Sequence, residues 1–151
     1  MSTKVNLFFR EFYSEEMEKC ISGYKLIRLL GRVAFKITTG FSTPRRAIID
    51  TGAHISVLPL SIWRLLDLEI VGASKLRGII PKEECALDVS VGIIKCIFLD
   101  EKGNQTSETK VHSFLALTDA VPILIGFKDL LDRFTLHSDY PNEAWIEEKN
   151  I

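Results

Sequence analysis

The feature that most constrains the fold is a strand–turn–strand signal at residues 47–59, Ala47-Ile48-Ile49-Asp50-Thr51-Gly52-Ala53-His54-Ile55-Ser56-Val57-Leu58-Pro59. Apolar, β-branched residues favour a buried strand, and an aspartate followed by Thr-Gly ends it in a turn. A second apolar run, residues 55–58, leaves that turn. Asp50 therefore stands where a strand stops, held by the backbone and not by a mobile loop tip.

The rest of the chain repeats this rhythm. Arg32-Val33-Ala34-Phe35-Lys36-Ile37 alternates partly, as strands do, and Thr39-Gly40-Phe41-Ser42-Thr43-Pro44 turns it back into residues 45–49. Residues 59–66 begin with proline and space their apolar side chains like a short helix, with Trp63 on its core side. A run at 74–80 is broken at Gly78 and Pro81, and residues 86–99 read as strand with an interruption at Gly92. Residues 100–104 form a solvated hairpin turn, 109–117 a strand, 121–126 a short buried strand, 127–134 a brief helix and 135–137 a last strand. Short strands punctuated at this interval predict an all-β, barrel-like domain with one or two short helices. At the two ends the pattern is weaker. Residues 1–30 read as an N-terminal accessory segment, with strand character at 5–9 and a capped helical turn from Ser14. Residues 140–151 read as a polar, peripheral tail around Trp145. The domain itself is expected over residues 31–139.

Composition excludes several classes. A chain of 151 residues with net charge -1 gives no electrostatic case for nucleic acid or an anionic membrane. Cys20, Cys85 and Cys96 are odd in number and lack metal-ligand spacing, which fits free thiols in a reducing compartment. Charges at Lys4, Arg10, Glu11, Glu15 and Glu16 leave no signal-peptide core, and no apolar run has the length of a membrane span. The expectation is a cytoplasmic protein without cofactor. His54, His112 and His137 are scattered and predict no metal site. Ser56 and His54 flank the turn without a nucleophile elbow, and Cys85 and Cys96 sit in apolar strand patterns as core residues.

The chemistry of Asp50 follows from its neighbours. Gly52 lacks a Cβ and lets a symmetry-related backbone come close, while the Thr51 hydroxyl can donate and accept across such a contact. A carboxylate fixed there can hold and deprotonate a water, given a second, protonated carboxyl to polarise a substrate carbonyl. Two carboxyls in contact cannot both ionise and share one proton; the aspartic-protease dyad is the standard example. Aspartate and glycine are also ordinary turn residues, so the flanking runs and a segment further along carry the case.

Together, these residues resemble a known family. Ile48-Ile49-Asp50-Thr51-Gly52-Ala53 is similar to the active-site signature of retropepsin-like aspartic proteases, and Ile123-Leu124-Ile125-Gly126 to the family's second hallmark. Residues 129–134 resemble the helix that follows in cellular members. The likeness covers residues 32–139 and implies a closed, retropepsin-like β-barrel. It also implies that Asp50 is catalytic, that Thr51 and Gly52 form the active-site loop and lock the dimer, and that Ala53 and His54 line the substrate cleft. Leu124, Ile125 and Gly126 would support the loop from behind, and a flap over residues 76–85 would bring Gly78, Ile79 and Ile80 to the substrate. His54 and Phe127 stand where retroviral members place a paired acid and arginine, so both halves of that ion pair are absent together.

The chain holds a single Asp-Thr-Gly or Asp-Ser-Gly triplet, whereas bilobal pepsin-like enzymes carry both motifs on one longer chain. The second aspartate must then come from a second copy, which implies a homodimer acting on a peptide or protein substrate. In the family, chain ends often build the dimer interface. The alternative expectation is a catalytically weak or inactive dimer of the same fold that binds peptides as a scaffold.

Overall fold

Alternating apolar residues and closely spaced turn signals produce a sheet that rolls up on itself. The computed structural model describes residues 3–76 and 87–150. In chain order they form β1 (Lys4–Phe12), α1 (Glu15–Cys20), β2 (Leu26–Ile37), β3 (Gly40–Phe41), β4 (Arg45–Ile49), β5 (Ser56–Leu58) and α2 (Leu60–Trp63). There follow β6 (Glu69–Leu76), β7 (Leu87–Leu99), β8 (Thr109–Ala116), β9 (Leu124–Ile125), α3 (Phe127–Arg133), β10 (Phe134–Asp139) and β11 (Glu143–Glu148). With 54% strand and 12% helix, the fold is all-β.

Six strands close a barrel in the order β2, β4, β9, β5, β8, β7 and back to β2. Two of the joins, β4 to β9 and β5 to β8, are parallel, and the others are antiparallel. Closure leaves these six strands without an open edge, while β3, β6 and β10 each pair on one side only among the described residues. Phe35, Ile94, Cys96, Phe98, Leu58 and Leu115 fill the interior, and burying a side chain of this size contributes about 1.5–3 kcal/mol. Trp63 packs on this core and donates from Nε1 to the Ala116 carbonyl at 2.7 Å, which ties α2 to β8.

Three details differ from the sequence pattern. Strand β7 runs unbroken through Gly92. A Cβ there would come 2.8 Å from Leu115 and 3.1 Å from the Glu69 carbonyl, so the glycine makes room for neighbours on both sides and does not end the strand. The irregularity falls instead on β6, where the register shifts between Ile70 and Gly72, and β6 begins at Glu69, well before residue 74.

The third difference lies at the chain ends. Strand β1 lies between β2 and β11, pairing Leu7 with Ala144 on one side and Phe8 with Leu30 on the other. Val5, Leu7, Ala144 and Ile146 are buried in the same core as Phe35 and Phe134. Both ends thus belong to the packed body. Among the described residues, no helix is long and apolar enough to cross a membrane.

Candidate active site

The Asp50 turn is held from behind by β9. Parallel pairing sets Ile48 beside Leu124 and Ile49 beside Ile125. The Ile48 N–H donates to the Ile123 carbonyl at 2.9 Å, and the Asp50 N–H to the Ile125 carbonyl at 3.0 Å. The main chain of Asp50 is therefore fixed one residue past the end of β4. On the far side of the turn, Val57 of β5 pairs antiparallel with Leu124, so the short β9 is clasped between the strand that enters the turn and the strand that leaves it.

Gly126 makes this geometry possible. A Cβ at that position would lie 2.5 Å from the Ile55 carbonyl carbon and 2.8 Å from the His54 oxygen, distances that rigid backbone cannot relieve. Its own N–H donates to the Ser56 hydroxyl at 2.9 Å in a buried bond. Two more main-chain bonds close the structure: Phe127 N–H to the Ala53 carbonyl at 2.7 Å and Lys128 N–H to the His54 carbonyl at 3.1 Å. These bonds join residues 53–54 to residues 127–128 through the backbone, and the half-buried Phe127 ring packs on the core.

The carboxylate of Asp50 is half-buried. Its Oδ1 accepts from the Gly52 N–H at 2.8 Å, and its other oxygen has no hydrogen-bond partner among the described residues. Thr51, Gly52 and His54 are exposed, while Ala53 packs against the small apolar cluster of Val57, Val89, Ala116, Val121 and Leu124. One surface therefore offers a carboxylate with an unoccupied acceptor, a threonine hydroxyl and a glycine. Of the residues expected to bind substrate, Gly78, Ile79 and Ile80 lie outside the described residues, as does the expected flap from residue 77 onward and Cys85.

Other chemistry-bearing groups have structural duties. Ser56, weighed as a nucleophile beside His54, is buried against Gly126. A lone hydroxyl in Ile55-Ser56-Val57-Leu58 was the available signal, because such a group needs a buried partner. Burial pushes the Cys96 thiol up to about 12, with the Asp129 carboxylate acting in the same sense, so it is not a nucleophile. Asp129 accepts from the His112 N–H at 2.8 Å and lies 3.2 Å from His112 Nδ1, fastening α3 to β8. No group of three or more His, Cys, Asp or Glu among the described residues could hold a metal ion. A cleft of about 640 Å³ lies between Asn6, Phe8, Arg32, Arg46, Asp100 and Glu143, and Asp50 is not among its lining residues.

No protein-family model matches this chain, and no curated protein is similar to it.

Proposed function

We propose that this chain is one half of a two-fold symmetric aspartic endopeptidase of the retropepsin type. The observation that carries the reading is the Asp50 turn: a carboxylate fixed by main-chain bonds to β9, with one oxygen unpartnered among the described residues, beside an exposed Thr51 and Gly52. The single triplet in the chain makes such a turn incomplete alone and complete in a pair.

In the pair, two Asp50 carboxyls share one proton. The ionised member takes a proton from a water held between them, and the water oxygen attacks the peptide carbonyl carbon. The protonated member donates to the carbonyl oxygen, giving a tetrahedral diol. Proton transfer to the leaving nitrogen then breaks the C–N bond, with no covalent enzyme intermediate. Thr51 hydroxyls bridging the two turns would hold the carboxyls within contact distance. An extended peptide suits such a cleft, since strand-like main-chain hydrogen bonds bind it with little side-chain demand. A cytoplasmic setting goes with this reading, because Cys20 and Cys96 are both free thiols.

The test is cleavage of a mixed peptide library from acidic to neutral pH by the parent and by Asp50→Asn. Cleavage by the parent alone is the expected result. Cleavage that survives the substitution would sink the Asp50 mechanism, and none by either protein would leave a peptide-binding scaffold.

A further inference from the structure

Beside Asp50 the β1–β2 ribbon outruns the barrel. Strand β2 faces β4 from Leu30, opposite Ile48, to Val33, opposite Arg45. Its earlier residues, 26–29, pair with β1, Phe12 against Leu26 and Phe9 against Leu29. The last β2–β4 pair is Leu30 with Ile48, two residues before Asp50, so residues 26–29 of β2 run on beyond the paired part of β4. Residues 13–25 therefore continue the ribbon at the Asp50 end of β4, the end at which, on the two-fold reading, a second Asp50 meets the first.

This tip has a defined shape. Ser14 caps α1 by accepting from the Met17 N–H at 3.4 Å, and the Glu18 carboxylate accepts from the Gly23 N–H at 3.0 Å. Gly23 takes the left-handed φ of 74° that the return to β2 requires. Lys25 pairs with Glu11 at 3.2 Å, and the Arg28 guanidinium lies 4.7 Å from the Phe12 ring centre. Yet α1 buries none of its residues. Tyr13 is 60% exposed, Ile21 48%, Tyr24 46% and Ile27 45%, four of the ten large apolar side chains left exposed among the described residues. Apolar exposure concentrated on so short a segment marks an interaction surface. At the ribbon's base, by contrast, Phe9 is covered edge-on by Tyr140 with ring centres 5.1 Å apart. The chain ends are already paired with each other, Lys4 with Glu147 through Leu7 with Ala144, so these strands are not free for exchange with a partner.

We propose that this arm, residues 13–27, clasps a second copy of the chain, laying Tyr13, Ile21 and Tyr24 across the two-fold axis onto the Asp50 end of the partner. The proposal rests on the two-fold reading of Asp50 and deepens it. The arm, in place of the chain ends, supplies the apolar area that holds the two turns together. By symmetry each copy gives one arm and receives one.

The test replaces Tyr13, Ile21 and Tyr24 together by serine in the full chain. Circular dichroism and thermal unfolding establish that the barrel remains folded, and sedimentation over a dilution series reads the dimer. Loss of three exposed anchors is expected to raise the dimer dissociation constant by about a hundredfold. Peptide cleavage should vanish at dilute protein and return at concentrations where the variant pairs. A folded variant with an unchanged dissociation constant overturns the arm, as does a variant that cleaves faster at low concentration, which would make the arm a cover over its own cleft. If the triple variant does not fold, a benzophenone photo-crosslinker placed at position 24 of the parent takes over. It should join the arm to a peptide of another chain's Asp50 end, and a crosslink only within one chain overturns the proposal. A parent that stays monomeric at every concentration is a separate result, one that removes the Asp50 pair itself and the arm with it.

Discussion

Asp50 and Asp100 occupy the same kind of place, the end of a strand followed by a turn that holds a glycine, and the chain treats them oppositely. Asp100 is buried and its two oxygens accept five hydrogen bonds: from the N–H groups of Asn6, Lys102 and Asn104 and from the side-chain amides of Asn6 and Asn104, at 2.9–3.1 Å. Asp50 is half-buried and accepts one, from Gly52, among the described residues. A carboxylate saturated by its own fold has no capacity left for a water or a substrate. One held firmly by its backbone, with an oxygen to spare, does. Hydrogen-bond saturation, more than burial or motif, separates the structural aspartate from the candidate catalytic one.

The largest effects test the two sides of this contrast directly. Asp50→Asn is expected to lower kcat/KM on a cleavable peptide by on the order of 10⁴-fold, with the unfolding temperature unchanged. Asp100→Ala is expected to do the reverse. It orphans donors on three residues and should remove about 3 kcal/mol of stability in chemical denaturation, while the folded fraction cleaves at the parental rate. If Asp100→Ala were thermally silent, or if it abolished cleavage in folded protein, saturation would no longer distinguish the two sites.

A smaller effect follows from pH. Burial acts to raise the Asp100 value, but the bonds from Asn6, Asn104 and Lys102 outweigh it and hold the carboxyl below the ordinary aspartate value of 3.8. A lowered folded value means that the stabilisation is fully present above the unfolded value and is lost as pH falls through the folded one. The stability gap between the parent and Asp100→Ala should therefore be constant from neutral pH down to about pH 5 and close progressively below about 3.8. Urea denaturation of both proteins along that series measures it. A gap that widens in acid contradicts the assignment.

The same contrast explains what could be read from the chain alone. The Asp50 turn, the short β9 and α3 are local patterns, each signalled within about ten residues by apolar runs, glycine and helical spacing. The all-β, barrel-like architecture followed from the number and interval of the short strands, whereas its closure was implied only by the resemblance. The chain ends were harder. Val5 and Leu7 alternate clearly, but Ala144 and Ile146 are separated by Trp145 and flanked by glutamates, so β11 looks like a polar tail until β1 and β10 cover it. Pairing between residues 4–7 and 144–147 spans nearly the whole chain, and no local signal encodes it. Saturation of Asp100 was hidden for the same reason, since two of its five bonds come from Asn6. Ser56 carried a partial signal and Asp129 none, because their partners Gly126 and His112 lie on other elements.

The two turn glycines sharpen the comparison at its smallest scale. Gly103, in the Asp100 turn, has φ of 86°, with no atom within 4 Å of where a Cβ would stand. Its substitution is a matter of backbone strain alone, and Gly103→Ala should cost about 1 kcal/mol in stability without touching cleavage. Gly52, in the Asp50 turn, does not occupy the left-handed region. A Cβ there would sit 3.3 Å from Asp50 Oδ1, tight enough to move the carboxylate by a few tenths of an ångström. In the proposed pair it would also thicken the surface across which the second turn approaches. Gly52→Ala should therefore leave stability within about 0.5 kcal/mol of the parent while cleavage falls roughly tenfold, a consequence of misplacement at the reacting centre. Measuring both variants in both assays gives four numbers. The crossed pattern, stability lost at one turn and activity at the other, is what a structural carboxylate and a catalytic one require. Equal losses of stability at the two glycines would mean that the Asp50 turn, too, is only a turn.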